Sequence, residues 1–317
     1  MINNLLIPVP DADAGQRLDA FVFERCPSSS RALIREAIQN GFVTVKGQAV
    51  LKGRKLKTGD TVKVLQLQEA TDQKVVPNPD IPLEILHADN HLLVINKPPG
   101  LPVHPLKIGE TGTLANALVA AYPDLSQVGD DPMFPALVHR LDTDTSGLIL
   151  AARNNQIFNR LRAGFKSRHV HKIYLALVQG HPPSQKRLVD WLAHQPGRRG
   201  KMMVLKTTEG APPANCFQAI TEFKVLKKYR ECSLLRVVIH TGVTHQIRCQ
   251  LAHAGFPVAG DKVYGTKTLK EVPLTRHFLH AARLELAHPA TGRPLVVEAP
   301  LPSDLQLVLD RLRPACA

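Results

Sequence analysis

Strand-like runs at residues 217–226 and 233–240 follow each other with only a short connection and no helix between them. That adjacency narrows the fold more than any other feature. Parallel neighbours need a crossover of about a dozen residues or more, usually a helix, whereas antiparallel neighbours need only a hairpin. Further strand-like runs at 92–96, 137–141, 147–151 and 173–178 alternate with helical patterns. The helical patterns lie at 113–121 (Leu114, Leu118), 155–167 (Ile157, Leu161, Phe165) and 244–254 (Ile247, Leu251), with apolar residues three or four apart. The expectation is an α+β fold: a mixed, largely antiparallel sheet flanked by helices, rather than a doubly wound one.

Residues 15–66 read as a separate small unit. Leu18, Phe21 and Val22 share one face of a helix, and Ser28-Ser29-Ser30 offer N-caps to a second over 32–40. Leu33, Ile34, Ala37 and Ile38 are its apolar positions, and Asn40-Gly41 stops it. Alternation over Phe42–Val45, a Lys46-Gly47 turn, and Val62 with Val64 add short strands. Beyond them the pattern dissolves into Gln, Glu, Asp, Asn and Pro. The boundaries expected are a compact α/β module over 1–66, a linker over 67–82 and a larger domain over 83–317.

Charge and motif content exclude many functions. Lys+Arg 40 against Asp+Glu 27 leave a net +13. Between Arg160 and Lys206 Asp190 is the only acid among Arg160, Arg162, Lys166, Arg168, Lys172, Lys186, Arg187, Arg198, Arg199, Lys201 and Lys206. Such a concentration points to a polyanionic partner. No apolar run approaches the roughly 18 residues of a membrane span, and no basic stretch precedes an apolar one at the start, so a cytoplasmic protein without membrane contact is expected. Cys26, Cys216, Cys232, Cys249 and Cys316 include no C-x-x-C pair, which suits reduced thiols and no structural zinc. His245 and His253 lack metal spacing, and no nucleotide-binding or nucleophile-elbow glycine motif occurs.

Three strings concentrate polar groups inside apolar frames. Residues 138–150 place His139, Arg140, Asp142, Asp144 and Ser146 between two apolar runs. A hairpin loop explains the Asp, Thr and Gly content. Yet an ionised carboxylate near buried strand ends costs several kcal/mol unless a cation compensates it. Asp142 and Asp144, at i and i+2 on one chain, are poorly placed to flank a sugar as a glycosidase pair. In residues 241–255, Thr244 is a candidate N-cap and Arg248 sits in the first turn. A cation there opposes the helix dipole, so Arg248 calls for a partner, which an Asp from the first string would supply. In the third string Lys172, Tyr174 and Ala176 share one strand face, opposite the more apolar Ile173, Leu175 and Leu177. Lys97-Pro98-Pro99-Gly100 is a proline-stiffened loop after a strand.

Together these strings resemble the RluA family of pseudouridine synthases over nearly the whole chain. His139-Arg140-Leu141-Asp142, continuing through Thr145-Ser146-Gly147-Leu148, resembles its nucleophile motif. Lys97-Pro98-Pro99-Gly100, Lys172-x-Tyr174, Thr244-His245-Gln246-Ile247-Arg248 and Gly260-Asp261-x-x-Tyr264-Gly265 follow in the family's order, as do Leu279-His280-Ala281, His288-Pro289 and Ala299-Pro300-Leu301-Pro302. The N-terminal module resembles the S-four-type RNA-binding domain through Arg17-Leu18-Asp19, Ser30-Arg31, the Gly41 to Gly47 pattern and Gly59-Asp60. Val243, Lys46 and Asn215 depart from the commoner Arg, Asn and Thr.

The resemblance implies a pseudouridine synthase fold and an isomerase that detaches uracil from ribose, turns it and rejoins it through carbon 5, with no cofactor and no metal. It implies Asp142 as nucleophile, on either the anomeric carbon or the uracil ring, Arg248 as its ion-pair partner, and Tyr174 against the target base, assisting loss of the carbon 5 proton. Arg140 would fill the vacated stack, and Lys97, Lys172, Arg17 and Arg31 would touch RNA. The implied target is structured RNA, foremost 23S ribosomal RNA of the large subunit, bound by a monomer. Transfer RNA, or a non-catalytic ribosome-assembly role, is the alternative.

Overall fold

The structure is a computed structural model that describes all residues except 52, 70–73, 199, 206–214, 266–273 and 316–317. Arg199 and Lys206 of the basic stretch, and Cys316, lie outside the described residues. The chain forms two compact units, Met1–Val75 and Val76–Ala317.

The first unit comprises β1 (Ile2–Pro8), α1 (Leu18–Arg25), α2 (Arg31–Gln39), β2 (Val43–Val45), β3 (Gln48–Ala49) and β4 (Thr61–Leu67), with the strands in the order β1-β4-β2-β3. Its core gathers the apolar faces legible in the sequence, Leu18, Phe21, Val22, Ile34, Ile38, Val62 and Val64 among them. Ser30 caps α2 by accepting from the Leu33 N–H at 3.3 Å. β1 opens the unit, with Ile2 opposite Leu67 and Pro8 opposite Thr61, and the Ser29 hydroxyl donates to the Gln68 carbonyl at 2.9 Å; the unit runs on to Val75, past residue 66.

The second unit contains β5 (Ile85–Ala88), β6 (Leu92–Lys97), α3 (Leu114–Ala121), β7 (Ser146–Ala152), α4 (Asn155–Lys166), β8 (His171–Gln179), β9 (Gln185–His194) and β10 (Met202–Val204). It continues with β11 (Cys216–Lys228), β12 (Cys232–Ile239), α5 (Gln246–His253), β13 (Leu279–Ala287), β14 (Pro294–Glu298) and α6 (Ser303–Arg311). One 10-stranded sheet runs β10-β9-β11-β12-β8-β13-β7-β6-β5, with β14 beside β13. Among the described residues its one parallel contact is β13 against β7, through His280–Ser146 and Ala281–Gly147; the other pairings are antiparallel. This is the expected α+β class with a largely antiparallel sheet. No helix of the described residues is long and apolar enough to cross a membrane.

Two local expectations are corrected. Residues 137–141 are not a strand: Leu137 forms an isolated bridge to Ala151, and the Leu150 N–H donates to Nε2 of the His139 ring at 3.0 Å. An imidazole thus takes a donor that a ladder carbonyl would have taken. At α5 the N-cap position is His245, in the left-handed region at φ 54°, rather than Thr244.

Gly147 marks where β7 meets β13. Its φ is +111°, and a Cβ there would lie 2.2 Å from the Ala281 carbonyl oxygen. Gly147→Ala is therefore expected to destabilise the protein by on the order of 2 kcal/mol or more, by combining strain with overpacking. Thermal unfolding of the two proteins checks this; an unchanged midpoint would contradict it.

Candidate active site

A cleft of about 300 Å³ opens on one face of the sheet, lined by the 138–145 loop, β8, the residues after β12 and the first turn of α5. Asp142 lies in the loop entering β7. That loop is clamped from several sides. The Gly100 N–H donates to the Thr143 carbonyl at 2.9 Å, Arg276 Nη1 donates to the Asp144 carbonyl at 3.0 Å, and the Thr145 hydroxyl meets His277 Nε2 at 2.7 Å. Lys97 adds a fourth clamp. Its Nζ donates to the carbonyls of Pro98 (2.7 Å), Leu101 (2.9 Å) and Thr143 (2.9 Å), and the side chain is fully buried. The expected contact of Lys97 with RNA is thereby corrected: all three ammonium hydrogens are spent inside the protein.

The contact anticipated between Asp142 and Arg248 is present. Arg248 Nη1 donates to Asp142 Oδ2 at 2.7 Å. The guanidinium is itself anchored by a carboxylate to which the sequence reading assigned no role. Arg248 Nε donates to Asp261 Oδ2 at 2.7 Å and Nη2 to Asp261 Oδ1 at 2.9 Å. The Asp261 side chain has 0% exposure, against 18% for Asp142. Burial pushes the Asp261 carboxyl up, but the Arg248 bonds and the N–H groups of Val263 and Tyr264 outweigh it and hold it below the ordinary carboxylate range. Burial likewise works against the charge on Arg248, and the two carboxylates overcome it, so the guanidinium stays protonated. The fork geometry is bidentate on the buried partner and single on the cleft partner. Among the described residues it leaves Asp142 Oδ1 without a hydrogen bond.

His245 faces that open oxygen, with Nε2 3.9 Å from Asp142 Oδ1. The Tyr264 oxygen accepts from the Met202 N–H at 2.8 Å and lies 3.1 Å from His245 Nδ1. With Tyr264 donating to Nδ1, the ring hydrogen sits on Nε2, toward Asp142. Neither His245 nor Tyr264 was assigned a role from the sequence. The signal was in Gly260-Asp261-x-x-Tyr264: at Gly260 (φ +74°) a Cβ would lie 2.2 Å from the Arg276 carbonyl oxygen, so only glycine permits that approach.

Tyr174 and Lys172 project from β8 into the same cleft. Tyr174 is 4% exposed, and burial, reinforced by the charge of Asp142, pushes its phenol well above the usual range. It is held protonated. Arg140 is exposed at the cleft rim. Arg17 and Arg31 belong to the first unit and are exposed: Arg17 makes a two-pronged pair with Asp19 (3.0 and 3.1 Å), and Arg31 lies over Phe23, 4.5 Å from its ring centre.

A family model for RNA pseudouridylate synthase matches residues 91–253, and one for the S4 domain matches residues 16–62. The chain is 39% identical to an uncharacterized RNA pseudouridine synthase of Chloroflexus aurantiacus, over 97% of this chain and 93% of that protein. It is 36% identical to the ribosomal large subunit pseudouridine synthase D of Pseudomonas aeruginosa, over 96% and 94%. Among solved structures, human RNA pseudouridylate synthase domain containing 1 superposes with a TM-score of 0.58 at 26% identity, covering 75% of this chain and 91% of that one. Similarity of this extent makes the chain a member of the RNA pseudouridylate synthase family, an isomerase acting on RNA, with an S4 domain joined to it.

Proposed function

We propose that this enzyme converts specific uridines of large-subunit ribosomal RNA to pseudouridine, with Asp142 as the nucleophile. One observation carries the reading: a cleft carboxylate is held through Oδ2 by an anchored guanidinium, while Oδ1 takes no hydrogen bond among the described residues. Such a group is oriented and, as a carboxylate, able to form a bond. Arg248 fixes the direction of Asp142; Asp261 fixes Arg248.

The target nucleotide has to leave its stack to reach the cleft, at a cost of a few kcal/mol. Arg140, exposed at the rim, is suited to fill the gap it leaves. Phosphate contacts from the basic surface offset the cost and make binding steeply salt-dependent. Tyr174 packs against the base. As a protonated phenol it is a donor before it is an acceptor, so it can take the carbon 5 proton only after its own hydrogen has moved. The ribosomal target is supported by the S4 domain and by the name of the Pseudomonas aeruginosa relative.

Mapping pseudouridines in total RNA from cells with and without this protein tests the reading. The expected result is loss of defined sites in large-subunit ribosomal RNA. Loss confined to transfer RNA would transfer the activity to that target, and release of free uracil by the purified enzyme would make it a hydrolase instead.

A further inference from the structure

Lys172 is a buried cation that the proposed chemistry leaves unused. It shares the cleft face of β8 with Tyr174 and is 8% exposed. Among the described residues its ammonium has no hydrogen bond and no ion pair; it lies over the face of Phe165, 5.1 Å from the ring centre. Burying an ammonium without a partner is costly, and retaining one in a cleft points to a ligand that completes it. Burial pulls its pKa down to about 8, so it is still mainly charged at neutral pH.

We propose that the Lys172 ammonium takes up the negative charge that develops on the O4 oxygen of the target uracil. The assignment rests on the pseudouridine reaction, and each route through that reaction loads O4. If an Asp142 oxygen bonds C1′, the C1′–N1 pair departs with the base and spreads over N1, O2 and O4. If it bonds C6 instead, the C5–C6 double-bond pair shifts through C4 onto O4. C5 then bonds C1′, displacing the Asp142 oxygen in the first route and breaking the C1′–N1 bond in the second. Loss of the C5 proton returns that bond's electrons to the ring through C4 and O4, in the second route expelling the Asp142 oxygen from C6, and N1 takes up a proton. A preorganised cation at O4 lowers all of these barriers.

The test compares wild type with Lys172→Met on an RNA carrying the mapped uridine, and on the same RNA with 4-thiouridine at that position. Lys172→Met should cut the single-turnover rate about 100-fold, leave RNA affinity unchanged, and keep or raise the unfolding midpoint. Sulfur accepts hydrogen bonds poorly, so 4-thiouridine should slow the wild type and leave the variant's two rates alike. Equal wild-type rates on the two RNAs would overturn the assignment, even if the variant failed to fold. So would a variant that keeps its rate but binds RNA more weakly with a shallower salt slope, since the ammonium would then hold a phosphate. Pseudouridine formation by wild type on the unmodified RNA separates failure of this assignment from failure of the reaction reading; without it both fall.

Discussion

Asp142→Asn is expected to reduce pseudouridine formation by about four orders of magnitude or more, the scale seen when a nucleophile is removed, while RNA affinity changes by no more than a few-fold. An asparagine oxygen can still accept from Arg248 Nη1, so the loop should keep its place, but a neutral amide cannot attack. Stability should hold or rise. Wild type places two carboxylates on one guanidinium, and the substitution leaves the balanced Arg248–Asp261 pair behind. Single-turnover assays, with calorimetry on the same preparations, check both halves. Full turnover by the variant would remove Asp142 as nucleophile.

Asp261→Ala should behave in the opposite way on stability. It strips the buried anchor from Arg248 and leaves Asp142, at the cleft, as the only carboxylate on a nearly buried guanidinium. Breaking such a pair costs about 3–5 kcal/mol, on the order of 10 °C in the unfolding midpoint for a unit of this size. Activity should fall as well, because Arg248 no longer aims Asp142. The acid side of the profile provides a second signature. The folded pKa of Asp261 is lowered, so its contribution is full above the unfolded carboxyl value of about 4 and is lost as pH falls through the folded value. The stability gap between wild type and variant should therefore narrow below about pH 4. A gap independent of pH would deny the charge pair its assigned weight.

What the sequence disclosed and what it concealed follow from where each signal resides. Leu92–Val94–Ile95 and the fully buried β7 are continuous apolar runs, legible because both faces are covered. The helical periods of α2 and α4 were equally plain. β1 was hidden because it is an edge strand with only Ile7 buried; what specifies it is the pairing offered by β4. Residues 137–141 carry the apolar alternation of a strand, and nothing in that pattern reveals that a histidine ring replaces the ladder. The Asp142–Arg248 contact was accessible because a cation in the first turn of a helix needs an explanation. Asp261 supplied none, since an Asp whose carboxylate takes the N–H groups two and three residues on looks like an ordinary turn. Lys97 misled for a related reason: a basic residue leading into a loop usually faces water, and its burial is set by the carbonyls of Pro98 and Leu101 just after it and of Thr143 from the facing loop.

The position of β13 bears on how the protein comes into being. The strand follows both β7 and β8 in the chain, yet it lies between them. Until it arrives, the sheet consists of two separate antiparallel halves, one ending at β8 and the other at β7. Asp142 stands at the edge of one half; Tyr174 and Arg248 belong to the other. A ribosome-bound chain that has not yet emitted residues 279–287 thus holds the carboxylate and its guanidinium on pieces with no strand to unite them. Contacts spanning so much sequence form slowly. Competence to act on RNA is consequently reserved for chains in which residues 279–287 have taken their place between β8 and β7.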